Sequence, residues 1–432
     1  MVLKAAVVGT GADPEDRDRT GYAMAYRHAP GYRRLDGVEL VACADIVPEN
    51  AAAFADNFDI PDRHVYEDYE TMLTDADPDV VSVCVPPAVH ADIVIGCAES
   101  GVPEAIHCEK PMATTWGDCR RMVEACEDAD VQLSINHQRR FGKPFTRAKR
   151  LLEDGTVGDL ERVEFGQDNL FDAGVHQFDL AGYFADGAAV EWVLAGIDYR
   201  EENRWFGTHN ENQGLAQWRY GNGVGGLAST GEGAGMGADF VGCYMRLVGT
   251  DGAIEIGVED GPSLRYRADG SDWTAVDVGE TVHGPTTGVV RAGVGKVLER
   301  VPGVDARRVR PTSFVERAIE EVVDALREGR EPRISGRRSL AAAELPFAAW
   351  ESVRRRGRVD LPLDVDDNPL EAMVEAGKLG VEAPDDAAGG SGEGSDDADG
   401  GEPGREPEAD PDAGGGREAV ADGEGEADGR SE

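Results

Sequence analysis

The first 135 residues alternate short apolar runs with segments of helical spacing, and this alternation limits the fold more than any other feature of the chain. Buried strands of a parallel sheet are continuous and rich in valine and isoleucine, because helices cover both faces of such a sheet. Five runs have this character: KAAVVG, VELVACAD, DVVSVCVPP, EAIHCEKP and VQLSIN. The pattern predicts an open, doubly wound parallel sheet with a helix after each strand.

Beyond Lys149 the pattern changes to longer β-type segments separated by glycine-rich turns. Such segments are typical of an antiparallel sheet, which we expect in a second domain. The segments are LERVEFG, AVEWVLAGIDY, GLAQWRYG, YMRLVGTDGAIEIG and SLRYRADG.

A helical stripe follows in SFVERAIEEVVDALREG, which predicts an amphipathic helix that packs on a core and ends at Gly329. The apolar residues of the stripe are Phe314, Val315, Ala318, Ile319, Val322, Val323 and Leu326. Pro346 lies within a later helical pattern, where it predicts a kink.

The composition changes abruptly at Glu382, after which the chain consists mainly of Gly, Asp, Glu, Ala and Pro, with 18 acidic and three basic residues. Such a segment buries too little apolar surface to offset its ordering entropy, so we expect disorder. A chain of 432 residues is also too long for one typical domain. We therefore predict a dinucleotide-binding domain over 1–136, an α+β domain over 137–381 and a disordered acidic tail over 382–432.

The formal charge is −41, from 84 acidic and 43 basic residues, of which only six are lysines. This balance repels nucleic acid and anionic membranes, so neither is an expected partner. An acidic, lysine-poor surface resembles that of proteins from salt-accumulating halophiles, where molar salt shortens the screening length to roughly 3 Å. The alternative is an acidic protein in dilute cytoplasm, whose self-repulsion would destabilise the compact state.

The seven cysteines include no CxxC pair and no histidines at ligand spacing, so we interpret them as buried, reduced thiols. No HExxH motif or cysteine cluster indicates a metal, and we predict none. The N-terminal stretch MVLKAAVVGTG lacks an apolar segment of signal length, and no run approaches 18 apolar residues. We expect a soluble, cytoplasmic protein.

A glycine-rich turn, Gly9-Thr10-Gly11, follows the first predicted strand. In a dinucleotide fingerprint these glycines let the backbone turn tightly and approach the pyrophosphate, which lies at the N-terminus of the next helix. A third glycine would be expected at position 14, which is Pro14; Gly21 instead opens the predicted helix, which implies an insertion of seven residues. The inserted segment is a solvated loop or reaches the cofactor through Arg17 or Arg19.

Asp45 ends the second predicted strand, where an acidic side chain can accept hydrogen bonds from both ribose hydroxyls of the adenosine half. Its charge repels a 2′-phosphate, and no arginine follows it in DIVPEN, so NAD is favoured over NADP as the cofactor. The alternative is that Asp45 is a helix N-cap or a turn residue.

Several segments together resemble the Gfo/Idh/MocA family of nicotinamide-dependent oxidoreductases over about residues 2–364. These segments are VPPAVH, HCEKP, NHQRRFGKP, DGTVGDLERVEFG, DAGVHQFDL, LREGREPRISGRRSL and ESVRRRGRVDLPL. The resemblance implies an N-terminal Rossmann domain, a C-terminal domain with an open, mostly antiparallel sheet, and redox chemistry on sugars, sugar derivatives or cyclitols. It also implies a homodimer or homotetramer.

Matching the motifs residue by residue gives the expected site. Lys110 of EKP takes the catalytic lysine position, with Glu109 beside it, and Asp172 and His176 take the acidic and histidine positions. Pro86 and His90 match the segment beside the nicotinamide. The sequence departs from the family in its split glycine fingerprint, in an approach to Lys110 that is one residue longer, and in a short connector before DNLF that implies a missing part of the substrate loop.

The residue chemistry agrees with these positions. If DAGVHQFDL is helical, Asp172, His176 and Asp179 share one face. An imidazole with a pKa near 6.5 can accept and return the proton of a carbinol, and an ammonium can stabilise a developing alkoxide. Which of Lys110 and His176 transfers the proton stays open. A packing or capping role is the alternative for His176, and an ion-pair role is expected for Asp179.

Asn136 at the end of the fifth run, and His137 and Arg140 just beyond it, are candidate substrate contacts. The alternative for Arg140 is an ion pair at the surface or between domains.

The predicted function is NAD-dependent oxidation of a carbinol, or reduction of the matching ketone, in a sugar-like polyol. One alternative is glycoside hydrolysis through transient oxidation, and another is a non-catalytic nucleotide-binding regulator. The substrate and the physiological direction stay open.

Overall fold

The computed structural model describes residues 2–14, 23–232, 237–285 and 311–379. Its first sheet has six parallel strands in the order β3-β2-β1-β4-β5-β6. The strands are β1 Leu3–Val8, β2 Val38–Ala44, β3 Val65–Tyr66, β4 Val80–Val83, β5 Ala105–Cys108 and β6 Gln132–Ile135. The five predicted strands are confirmed; β3 has two residues, which is too short to produce a pattern.

Helices cover both faces of this sheet, as the continuous apolar runs predicted. They are α1 Ala25–Arg34, α2 Pro48–Phe58, α3 Tyr69–Ala76, α4 His90–Glu99 and α5 Trp116–Asp128. The central strands are buried on both sides; all four residues of β4 and of β5 are inaccessible or nearly so. This strand order places the crevice between β1 and β4, where a doubly wound sheet binds its ligand.

The second sheet has nine strands in the order β16-β15-β14-β13-β7-β12-β11-β8-β17 and is mostly antiparallel, with β7 and β12 parallel. Its strands are β7 Leu160–Gln167, β8 Val190–Asp198, β11 Gln213–Tyr220, β12 Gly225–Gly231, β13 Cys243–Gly249, β14 Gly252–Val258, β15 Leu264–Ala268, β16 Thr274–Ala275 and β17 Val359–Asp360. A separate hairpin consists of β9 Arg204–Trp205 and β10 Thr208–His209. Helices α6 Lys143–Glu153 and α7 Val175–Phe184 belong to this half.

Three later helices are α8 Phe314–Glu328, α9 Gly336–Arg355 and α10 Pro369–Glu375. The predicted amphipathic helix is confirmed as α8: Ser313 and Glu316 form a capping box, and Gly329 ends the helix with a φ of 62°. Its buried stripe packs against α1 and the parallel sheet, where Ile319 belongs to one apolar cluster with Tyr32 and Val38. The chain therefore returns to the first half after building the second sheet.

The helix α9 joins the two halves. It continues through Pro346, where a kink was expected. The aromatic rings of Phe347 and Trp350 pack against Trp116 of α5 and Phe171 of the second half.

All seven cysteines are buried and free. Within the described ranges, no helix combines the length and apolar character needed to cross a bilayer. Gly21 with most of the inserted loop and the acidic tail from Glu382 lie outside the described residues.

Candidate functional site

The carboxyl ends of the parallel strands bring four of the predicted site segments to one edge of the sheet. Gly9 follows β1, Pro86 follows β4, Lys110 follows β5 and Asn136 follows β6. Since parallel strands all end at the same edge, residues spread over more than 120 positions meet beside the crevice.

The backbone conformation of the turn after β1 requires glycine. Gly9 has a φ of +83°, and a Cβ at this position would lie 2.9 Å from the backbone nitrogen of Val85. Gly11 has a φ of +67°. Both conformations are unfavourable for other residues, and the missing side chains leave the backbone open to a close ligand.

Asp45 organises this turn. Its Oδ2 accepts hydrogen bonds from the Gly11 amide at 2.9 Å and from Thr10 Oγ1 at 3.0 Å, while Oδ1 accepts from the Val47 amide. The turn role that was the alternative is therefore present, and Asp45 is not the N-cap of α2, which is Val47. A carboxylate has about four acceptor positions, so capacity for ribose hydroxyls remains. The turn and Asp45 fit a dinucleotide.

The helix after the turn begins at Ala25 in the described chain, four residues beyond Gly21. The pyrophosphate position expected from the fingerprint therefore depends in part on the inserted segment.

A cavity of about 340 Å³ lies at this edge, between the parallel sheet and the second half of the chain. Lys110, Asp172 and His176 all line it, together with Val85 and Pro87 from the loop after β4. The three predicted catalytic residues, which are up to 66 positions apart, therefore share one cavity.

Lys110 and Asp172 form an ion pair across the cavity wall. Lys110 Nζ lies 3.0 Å from Asp172 Oδ1 and 3.0 Å from the Asp172 carbonyl oxygen. Their side chains are 13% and 8% exposed, so the pair is largely shielded from solvent. Asp172 lies in the turn before α7, so the predicted single helical face of Asp172, His176 and Asp179 is wrong; the fold, not helical spacing, places Asp172 beside the cavity.

His176 lies in the first turn of α7 and is 5% exposed. Burial lowers the pKa of its imidazole well below 6.5, and the neighbouring charges of Arg139 and Lys110 and the ring of His137 lower it further. Its Nδ1 has no hydrogen-bond partner among the described residues. The imidazole is therefore neutral at pH 7 and can accept a proton from a ligand in the cavity.

A buried polar network fixes the chain before Lys110. Burial raises the pKa of Glu109, but hydrogen bonds from His28 and Asn136 outweigh this effect and hold it at about 2. His28 Nε2 and Asn136 Nδ2 lie 2.8 and 2.6 Å from Glu109 Oε1. Asn136 does not line the cavity, so its predicted substrate contact is replaced by a structural role. Ser82 connects His28 to Tyr32 in the core.

His90 also has a structural position. It is fully buried, with Nδ1 2.9 Å from the Pro111 carbonyl and Nε2 2.8 Å from the Val85 carbonyl. Burial lowers the pKa of this imidazole. It ties the loop after β4 to the loop that carries Lys110 and does not face the cavity, contrary to the expected cofactor contact. Pro86 is exposed, and its neighbours Val85 and Pro87 line the cavity instead.

Arg140, a predicted substrate contact, does not line the cavity that holds Lys110 and His176 and is paired with Asp179 instead. Its Nε and Nη2 lie 2.6 and 2.8 Å from the two carboxylate oxygens of Asp179, and both side chains are buried. The pair lies outside the catalytic cavity, so the ion-pair alternative holds for Arg140 and for Asp179. His137 is 2% exposed and packs its ring 5.7 Å from that of His176, without lining the cavity. Burial lowers its pKa.

Arg139, which was not among the expected site residues, does line the cavity. Residues Gln138–Phe141 form a short 3₁₀ turn after β6, and this turn directs adjacent arginines to opposite sides. The available signal was a pair of consecutive arginines after a strand. No pattern in the sequence indicated which of the two would line the cavity.

The hairpin of β9 and β10 was also missed. Its two-residue turn has φ values of 47° at Phe206 and 78° at Gly207, as in a type I′ turn. A left-handed conformation is unfavourable for a bulky residue. Trp205 and Phe206 line the cavity, so the hairpin supplies an aromatic wall to it.

Comparison with known proteins places this site in a family. Residues 3–137 match the oxidoreductase family with an NAD-binding Rossmann fold, and residues 161–361 match the C-terminal alpha/beta domain of the same family. The myo-inositol 2-dehydrogenase of Thermotoga maritima is 28% identical over 183 residues, covering 39% of this chain and 53% of that protein. The chain spans about half the length of the curated relatives it matches.

Two solved structures have the same fold. An oxidoreductase from Agrobacterium radiobacter, in complex with NAD+, L-tartaric acid and magnesium, has a TM-score of 0.62 at 20% identity, covering 83% of this chain and 98% of that one. The aldose-aldose oxidoreductase from Caulobacter crescentus has a TM-score of 0.63 at 21% identity, covering 84% of this chain and 100% of that one. With both of its domains matched, the chain belongs to the Gfo/Idh/MocA family of oxidoreductases.

Proposed function

We propose that this chain is an NAD-dependent oxidoreductase that interconverts a carbinol and a ketone in a sugar, a sugar derivative or a cyclitol. The observation that carries the proposal is the convergence of Lys110, Asp172 and His176 on one cavity beside the glycine turn. A nucleotide-binding regulator has no chemical need for this set of groups.

The cofactor would bind along the edge of the parallel sheet. Gly9, Thr10 and Gly11 would hold the pyrophosphate, and Asp45 would accept the adenosine ribose hydroxyls. When bound, the nicotinamide accepts or supplies the hydride. NAD is favoured over NADP because Asp45 is an anion and no arginine follows it in DIVPEN.

The chain's own residues would manage the proton and the developing charge. His176 is neutral, so it accepts the hydroxyl proton in oxidation and returns it in reduction. The Lys110 ammonium stabilises the alkoxide as it develops. Asp172 holds Lys110 in place through two contacts at 3.0 Å. Glu109 acts indirectly, because its network positions the backbone before Lys110.

The aromatic wall supports a ring-shaped substrate. Trp205 and Phe206 are half-buried at the cavity, and an aromatic face packs well against the C–H groups of a sugar or cyclitol ring. Relatives of this chain are named for inositol and for D-apiose.

Two further properties follow as part of the proposal. The chain assembles as a homodimer or homotetramer through the outer face of the nine-stranded sheet, and it works in the cytoplasm at high salt. The net charge of −41 is the observation that supports the salt requirement.

Incubation of the protein with NAD and a panel of sugars, polyols and glycosides, at several salt concentrations, tests the function. Accumulation of NADH is the expected result, and a parallel series with NADP measures the cofactor preference. Glycoside cleavage without net NADH would instead identify a hydrolase, and tight NAD binding with neither product would identify a regulator.

A further inference from the structure

Arg139 is a buried cation in the wall of the cavity, where its charge helps to lower the pKa of His176 but where it neither gives nor takes the proton in the reaction proposed above. It is 8% exposed. Its Nη1 donates to the Val282 carbonyl at 2.6 Å and lies 3.3 Å from His283 Nδ1, and its guanidinium carbon lies 5.2 Å from the centre of the Tyr244 ring. These contacts are with a carbonyl oxygen, an imidazole ring and a phenol ring.

The Nε and Nη2 edge of the guanidinium makes no hydrogen bond within the described chain, and Nε is buried. No carboxylate of the described chain lies within ion-pair distance of Arg139. This edge carries two parallel N–H groups, which match the two oxygens of a carboxylate or a phosphate.

Two other arginines of the described chain, one buried and one half-buried, have carboxylate partners. Arg140, the next residue, has the same exposure of 8% and binds both oxygens of Asp179. Arg246 pairs with Glu164 and Glu255. Since an unpaired buried charge is unfavourable, the exception at Arg139 requires an explanation.

The carboxylates around the same cavity are already used. Asp172 binds Lys110, and Glu109 binds His28 and Asn136. Glu316 accepts the Ser313 amide in the capping box of α8. None of the carboxylates described at this cavity is therefore left to pair with Arg139.

The geometry points to an oxyanion-binding subsite in which the Nε and Nη2 edge of Arg139 holds a carboxylate or phosphate carried by the substrate. The inference rests on the proposed function and narrows it: the substrate is an acidic sugar or polyol, such as an aldonate, a uronate or a sugar phosphate, and not a neutral one. Arg139 then orients the ring so that its carbinol meets Lys110 and His176, while the aromatic wall covers a face of the ring.

The test compares matched ligands that differ in one group. Isothermal titration of the full chain with saturating NAD measures the affinity for a neutral sugar, the corresponding uronate or aldonate, and the corresponding phosphate, at constant ionic strength. The expected result is at least tenfold tighter binding of one anionic form than of the neutral form. The two anionic series distinguish a carboxylate from a phosphate, and equal affinity for all three forms would overturn the inference.

Two variants locate the effect. Arg139→Gln should remove the preference for the anionic form, whereas Arg139→Lys should retain part of the preference because it keeps the charge but not the paired N–H groups. An Arg139→Gln protein that still binds NAD and still prefers the acid would overturn the assignment. If a variant does not fold, the comparison of the three ligand forms on the wild-type protein still tests the inference.

The two proposals fail differently. Turnover of neutral polyols and not of acids would leave the oxidoreductase in place and remove the oxyanion subsite. Arg139-dependent binding of acids without any NADH formation would keep the subsite and remove the proposed reaction.

Discussion

Lys110 donates from Nζ to both the side-chain Oδ1 and the main-chain carbonyl of Asp172, each at 3.0 Å. Lys110 follows the fifth strand of the parallel sheet, and Asp172 precedes a helix of the other half of the chain. The ion pair therefore connects the two halves at the cavity, and each half contributes to the proposed catalytic set.

Replacing Lys110 with Met should lower kcat by about 10²–10³-fold, because the alkoxide loses its cationic partner. NAD affinity should stay within about twofold, since the glycine turn and Asp45 are untouched. Steady-state kinetics and calorimetry measure the two quantities. Lys378→Met, a change at an exposed lysine, is the control. Undiminished turnover in Lys110→Met would remove the lysine from the mechanism.

The pH dependence of oxidation should reflect the neutral state of His176. Because its pKa lies well below 6.5, the basic form persists as the pH falls through 6.5, and the acid limb of kcat/KM lies below that value. Burial, Arg139, Lys110 and His137 cause the shift, so Arg139→Gln should move the limb to higher pH. A limb at or above 6.5 in the wild type would contradict the assignment of His176 as the base.

Asp45→Asn should weaken NAD binding by about 10–100-fold, since hydrogen bonds to a charged group contribute about 1.5–3 kcal/mol. The same change should narrow the preference for NAD over NADP, because the repulsion of the 2′-phosphate is removed. Calorimetric titration with both nucleotides measures this. Asp59→Asn, at an exposed carboxylate paired with Arg33, serves as the control and should leave both affinities unchanged.

Removing one partner of the buried ion pair of Arg140 and Asp179 should strongly destabilise the protein. Asp179→Asn leaves an uncompensated guanidinium and should lower the free energy of unfolding by about 3–5 kcal/mol. The double change Arg140→Met with Asp179→Leu should recover much of that loss. Asp360→Asn, in an exposed pair with Arg358, should change it by less than about 1 kcal/mol. Urea unfolding measures all three, and a neutral effect of Asp179→Asn would contradict this account.

The stability of the protein should rise with salt. At a net charge of −41, like charges repel over about 10 Å in 0.1 M salt but over only about 3 Å in 1 M salt. The midpoint of urea unfolding should therefore increase between 0.1 and 2 M KCl. A parallel series with a neutral osmolyte in place of KCl distinguishes two effects on stability: the screening of charges by salt, and the exclusion of the solute from the protein surface. A midpoint that is flat or falls in KCl would favour the alternative of an ordinary acidic protein.

Much of the fold was predictable because burial leaves a pattern in the chain. Strands β1, β2, β4, β5 and β6 are covered on both faces, so each is a continuous apolar run that carries its own signal. Strand β12, GGLASTG, lacked such a signal: a Cβ at Gly226 would lie 1.9 Å from the Trp218 ring, so the cross-strand neighbour requires glycine there. When packing against another strand requires a particular residue type, the strand that carries this residue loses part of the local pattern by which a strand is recognised.

The sequence by itself determined the parallel sheet and the α8 helix with its capping box, because these depend on residues close together in the chain. It also determined the edge at which the glycine turn and Lys110 meet, because parallel strands share one direction. Only the tertiary structure decided that Arg139 and not Arg140 faces the cavity, that His90 and Asn136 are buried supports, and that Trp205 and Phe206 form a wall. The physical reason is that the direction and partners of a side chain depend on contacts between distant segments, such as Asp179 with Arg140 and Val282 with Arg139. Those contacts have no counterpart in local spacing.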